Sequence, residues 1–181
     1  MLDALRAKLP PNPVVQPLYA GEDHAAGLIG PVLVMLARRE PDSSHLLESE
    51  RWFAELLARY PKKGGYIVVV QASAPPPSEP ARKIIDKAYT QYGRGAQIGA
   101  MVIEGKGFMA ASIRSALSLL MLKSRYGYPL KTFATVSEGA AFICPALPPE
   151  YGAARAQVVT GVEELRRAYE GNVGPLAATK S

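Results

Sequence analysis

Few side chains in this sequence could serve as nucleophile, base or metal ligand. The chain has two histidines, His24 and His45, and one cysteine, Cys144. A helical zinc motif needs two imidazoles one turn apart with a carboxylate between them, and neither histidine has such a neighbour. A thiolate–imidazole pair would need the fold to bring Cys144 to a histidine far away in sequence. Cys144 follows an apolar run and reads instead as a small buried hydrophobe. A lone cysteine allows neither an intramolecular disulfide nor a cysteine zinc cluster, which fits a reducing compartment. With no convergent base and nucleophile in the linear pattern, we expect no catalytic residues, no metal and no cofactor.

Two stretches suit anion chemistry. Ser78 precedes Glu79 and Pro80, the position of a helix N-cap worth roughly 1 kcal/mol. A phosphate on Ser78 would gain from the helix dipole and from Arg82. Glu104-Gly105-Lys106-Gly107 joins a strand to a helix, where free amides and one lysine could hold an anion. The run lacks the span of a phosphate-binding P-loop and reads as a tight turn. Ligands of open α/β sheets bind beyond the carboxyl ends of strands, which would gather Gln71, Ser73, Lys106 and Thr135 around one crevice.

Composition bounds the class. The 181 residues are 48% hydrophobic and 20% charged, the balance of a globular domain rather than a disordered tail or a fibre. The longest apolar stretch, 107–122, is broken by Arg114 and falls short of the ~20 residues that span a bilayer. The first residues show no secretory pattern, so a cytoplasmic location is expected. Residues 62–131 hold eleven basic and three acidic side chains, so the middle is +8 within a net charge of +5. That polarity suits an acidic partner. Basic residues spread one or two per element, without interleaved aromatics, make nucleic acid an unlikely target.

The elements that must carry these residues follow from periodicity. Three prolines, Pro10, Pro11 and Pro13, close a lead-in over 1–13. Runs at 14–19, 25–29 and 32–38, separated by Gly21, Gly27, Gly30 and Pro31, suggest an antiparallel meander. Asp42-Ser43-Ser44 opens a helix whose apolar stripe includes Leu46, Trp52, Phe53, Leu56, Leu57 and Tyr60. The run 66–70 (YIVVV) reads as a central strand buried on both faces. Helix 79–92, strand 97–103, an unusually apolar helix 108–123 and strand 130–133 follow. Thr135 to Glu138 has capping-box spacing for a helix through Ile143. Thr160 to Glu163 repeats it before a short last helix at 165–169, and 171–181 should fray as a tail. The expected fold is α/β over a single domain, 14–170, with an N-terminal β-meander followed by βα repeats and a mixed sheet flanked by helices.

The stretch from Gly65 to Ile143 carries a resemblance. A strand, a proline-rich turn with Arg82 just inside the next helix, a strand with small residues, a helix with Arg114 and the close FAT..EGAAFI resemble the STAS-like, SpoIIAA-like domains of small stand-alone bacterial proteins. The likeness is strong over less than half of the chain. It implies a non-enzymatic protein-interaction or signalling module. In one branch of the family a serine near the helix N-terminus is phosphorylated in an Asp-Ser context. Here Gln71-Ala72-Ser73 and Pro77-Ser78-Glu79 occupy that region without the aspartate.

The leading expectation is thus a docking module for a protein partner through Ser73, Ser78, Arg82, Lys106, Arg114 and Thr135. Phe108, Met109, Ile113, Leu120 and Met121 form a candidate apolar interface for a partner or a second copy as homodimer. The alternative is a small-ligand or lipid binder using a crevice beside helix 108–123.

Overall fold

The runs expected to form a meander do pair as one. The computed structural model describes residues 1–72, 74–123, 126–151 and 154–173, with only the backbone at Met109, Ala116, Leu120, Leu122 and Lys123. Strands β1 (Gln16–Ala20), β2 (His24–Ile29) and β3 (Val32–Ala37) are antiparallel neighbours. Their second connection is the tight pair Gly30-Pro31, where Gly30 adopts φ +51°, a conformation a side chain would resist. Then β3 pairs in parallel with β4 (Gly65–Val70), β4 with β5 (Ile98–Ile103) and β5 with β6 (Leu130–Phe133). The result is one six-stranded mixed sheet in the order β1-β2-β3-β4-β5-β6.

Helices α2 (Ser43–Arg59), α3 (Glu79–Gln91) and α4 (Gly107–Lys123) make the three crossovers between the parallel strands. Because strand order rises steadily, right-handed crossovers place all three on one face. Helices α1 (Leu2–Ala7), α5 (Val136–Ile143) and α6 (Arg155–Val173) cover the other. The period-two pleat of the strands divides their side chains between two cores. Val34, Ile67, Val69 and Ala100 meet Leu5, Ala140 and Leu165 on one side. Met35, Tyr66, Val68 and Met101 meet Trp52, Phe53, Tyr89 and Leu117 on the other.

The caps explain where most helices start. The Asp42 carboxylate accepts from the His45 backbone N–H at 3.0 Å, Ser78 Oγ accepts from Ala81 N–H, and Thr135 with Glu138 closes both halves of a capping box. Two expectations change. The stretch set apart as a lead-in forms α1, whose Leu5 is fully buried, and the Lys8 ammonium hydrogen-bonds the Gly171 carbonyl. The last helix starts at Arg155 rather than after Thr160, with the Gln157 side chain accepting from Ala154 N–H. Thr160 and Glu163 are interior to it. Gly161 sits mid-helix because a Cβ there would lie 2.4 Å from Ile29 Cδ1, so its absence lets α6 settle on β2. Helix α4 exposes Phe108 and Leu119 to solvent while Leu117 faces the core. Of the tail expected over 171–181, Gly171 to Val173 belong to α6 and the remainder lies outside the described residues.

Candidate functional site

The two faces of the sheet are filled differently. Beyond the carboxyl ends of β3, β4 and β5, under α3 and α4, lies a cavity of about 320 Å³. Its floor is Met35, Val68 and Met101, with Val70 and Ile103 at the strand ends. Its roof is Ile84, Ile85, Ala88 and Tyr89 from α3 and Ala110, Ile113 and Leu117 from α4. The proline loop Pro75-Pro76-Pro77 and the Gly105-Lys106 turn edge it. This is the carboxyl-end location that open α/β sheets use for ligands, and the volume lies at the lower end of small-molecule pockets.

On the same face of the sheet, beside the cavity and sharing Tyr89 with its wall, lies a packed aromatic group. The Tyr66 and Tyr89 rings stack at 5.4 Å, the Tyr66 and Tyr128 hydroxyls are 2.8 Å apart, and the Tyr128 hydroxyl donates to the Tyr89 carbonyl. Burial drives the Tyr66 and Tyr89 phenols well above their ordinary titration range, so they remain neutral.

One end of the cavity is formed by both histidines. His24 begins β2 and His45 lies in the first turn of α2, with ring centroids 4.1 Å apart. His45 also meets the edge of Trp52, the sole tryptophan, at 5.3 Å. His24 Nε2 and His45 Nδ1 are buried without a hydrogen-bond partner. Burial lowers the basicity of both, against the pull of Asp23 and Asp42 on His24, and desolvation with the neighbouring His24 brings His45 down to about 3. Both rings are therefore neutral at physiological pH.

Three charged groups at the rim, Arg39, Glu104 and Glu40, are already engaged, and Lys106 is exposed at its edge. Arg39 pairs with Asp23 at 3.3 Å, and Glu104 with Arg166 of α6 at 2.5 Å. Glu40 accepts from the Ser78 backbone N–H at 2.7 Å, which lowers its carboxyl pKa and ties the start of α3 to the segment after β3. Gln71, buried at the end of β4, donates to Glu170 at 3.2 Å.

The expected site residues are only partly assembled. Gln71 and Lys106 line the cavity. Thr135 does not, because it caps α5, which packs on the opposite face. Ser78 and Arg82 are exposed at the start of α3, with Ser78 serving as its cap. Arg114 is half-buried and donates to the Ile103 carbonyl at 3.0 Å, which pins α4 to the end of β5. The apolar set divides: Phe108 is 87% exposed, Ile113 lines the cavity and Met121 packs against the aromatic core. Ser73 and the side chains of Met109 and Leu120 lie outside the described residues.

Sequence reasoning missed the histidine pair as a unit. Parity carries the signal: His24, Ala26 and Leu28 alternate onto the face covered by α2, and His45, Ser49, Trp52 and Leu56 continue one helical stripe. The sheet separates the pair from Cys144, which packs against the opposite core and whose thiol is raised by burial. Among the described residues no three His, Cys, Asp or Glu side chains gather where a metal ion could sit, and no helix is long and apolar enough to cross a membrane. Comparison with protein-family models, curated proteins and solved structures finds no match.

Proposed function

We propose that this protein binds a small, largely apolar molecule in the cavity under α3 and α4, as a binding protein with no chemistry of its own. One observation carries the reading. Protein interiors are packed to crystal density with few voids larger than a water molecule. Here about 320 Å³ stays open at the strand ends, lined by short side chains, Ala88 and Ala110, where larger ones would close it. That opening lies beside the helix with which the ligand-binding alternative was associated.

The test uses the neutral dye phenylnaphthylamine and the variant Ala88→Leu, which occupies the cavity from α3. The wild type should bind the dye saturably at one site, and the variant should lose at least tenfold in affinity while unfolding at a similar temperature. Equal binding by the two proteins rejects the cavity as the site. Native mass spectra of the purified protein supply an independent readout, since a co-purifying small molecule would add a discrete mass.

A second reading, the STAS-like interaction module, draws support from Phe108, 87% exposed at the start of α4 and two residues from the exposed Lys106. On that reading Phe108, Lys106 and Arg82 contact a protein partner or a second copy. Light scattering after size exclusion tests the self-association form: a dimer lost in Phe108→Ser favours it, and a monomer across micromolar concentrations rejects it.

A further inference from the structure

We propose that the molecule held in this cavity is neutral and carries a hydroxyl group on an apolar body, with the hydroxyl seated against His24 and His45. The inference rests on the cavity reading and adds the chemical class of the ligand.

The argument starts from two orphaned nitrogens. His24 Nε2 and His45 Nδ1 are both buried without a partner, on rings that line the same end of the cavity. The Arg39 backbone raises the basicity of the His24 ring, as a carbonyl facing Nδ1–H does, and we assign the ring that tautomer. A neutral imidazole has one donor nitrogen and one acceptor, so His24 Nε2 is left as a bare acceptor that needs a donor. A buried acceptor with no donor costs about 1–3 kcal/mol, and a molecule that displaces water from it must replace the hydrogen bond or lose affinity.

Charge narrows the class. An anionic head seated at the histidines would meet the field of Asp23 and Asp42, both of which act on His24. Arg39 in the lining is already paired with Asp23, and Lys106 belongs to the turn after β5 rather than to the segments that carry the histidines. An ammonium would suit those carboxylates, but the burial that keeps both imidazoles neutral would also desolvate it. A hydroxyl avoids both costs. It donates to His24 Nε2 and still offers its oxygen to a donor on the neighbouring ring. The apolar remainder then runs along Ile85, Ala88 and Ile113.

The experiment measures displacement of phenylnaphthylamine by three molecules of matched length, n-octanol, heptyl methyl ether and octanoate, with Trp52 emission as a second reporter beside His45. The wild type should prefer the alcohol to the ether by about tenfold, the value of one hydrogen bond to a buried acceptor, and should bind octanoate more weakly than the alcohol. In His24→Leu the alcohol-to-ether preference should collapse towards unity with ether affinity retained. An ether or octanoate that matches the alcohol in the wild type overturns the hydroxyl proposal and leaves the cavity reading standing. A preference that survives in His24→Leu overturns it as well. Failure of the dye and all three molecules to bind removes both. Should His24→Leu not fold, the imidazole nitrogen resonances of isotope-labelled wild-type protein decide: the His24 acceptor nitrogen should shift with octanol and not with the ether, and an unmoved resonance rejects the contact.

Discussion

The two faces of the sheet are made from the same strands, yet one is closed and the other is not. Against α1, α5 and α6 the strands present β-branched and small side chains, and Leu5, Ala140, Ile143 and Leu165 fill the space to complete burial. Against α2, α3 and α4 they present Met35, Tyr66, Val68 and Met101 to a layer rich in rings, and packing stops short of the strand ends. Planar rings stack well on one another but leave corners that only flexible or small side chains could fill. The closed face holds the molecule together, and the open face has a place for something else. Glu104 joins the two, since it follows β5 at the cavity edge and pairs with Arg166 from the closed side.

This contrast can be broken by substitution. The largest effect belongs to the closed face: Leu165→Ala removes a fully buried side chain from α6 and should cost about 3 kcal/mol by urea unfolding. Ile113→Ala, trimming a half-buried cavity wall, should cost about 1 kcal/mol, because the space beside it is already open. Comparable losses would mean that the two faces are equally packed. Overpacking gives the next effect in size. Ala140→Leu on α5 should destabilise by about 2 kcal/mol, whereas Ala88→Leu on α3 should leave stability within about 0.5 kcal/mol.

Acid should act on the open face alone in the range where histidines titrate. As pH falls below about 6.5 the unfolded chain protonates its imidazoles, while folded His45 resists until about 3. The unfolded state then binds more protons, so stability is flat above that window and falls on acidification through it. The slope should approach 1 kcal/mol per pH unit between about pH 6.5 and 4.5, above the range where Asp42 and Glu40 begin to protonate. Urea midpoints across that range should show it, and His45→Leu should reduce it to the share that His24 contributes. An unchanged slope in the variant would place the titrating group elsewhere.

Much of the architecture was legible because it rests on local rules. The meander followed from glycine spacing, the parallel strands from uninterrupted apolar runs such as 66–70, and the start of α5 from the Thr135 and Glu138 pair. What failed were signals that tertiary packing overrides. Gly161 and the Thr160 to Glu163 spacing resembled a helix start, but the glycine is there to let α6 approach Ile29. Leu5 gave no periodic signal in a segment too short to show one. The cavity was legible in position, through Gln71 and Lys106 at strand ends, but not in chemistry. Its histidines come from a strand and a helix with all of β3 between them, and no linear spacing encodes that meeting.

The smallest contrast concerns how firmly one helix of each face begins, α5 on the closed face and α3 on the open one. On the closed face, α5 has reciprocal caps: Thr135 Oγ1 accepts from Glu138 N–H at 3.2 Å, and the Glu138 carboxylate accepts from Ala134 and Thr135 N–H at 3.1 Å. On the open face, α3 relies on a single 3.4 Å bond to Ser78 Oγ, with Glu40 holding the Ser78 N–H from outside. Thr135→Ala should therefore cost about 1 kcal/mol and Ser78→Ala about 0.5 kcal/mol, at the low end for a cap. Hydrogen exchange should separate them further, because loss of the Ser78 cap frees the first turn of α3 alone. If ligand closes the cavity by drawing α3 down, dye binding should restore protection to that turn in Ser78→Ala and leave Thr135→Ala unchanged. Equal responses at the two helices would show that ligand acts on the whole fold rather than on the open face.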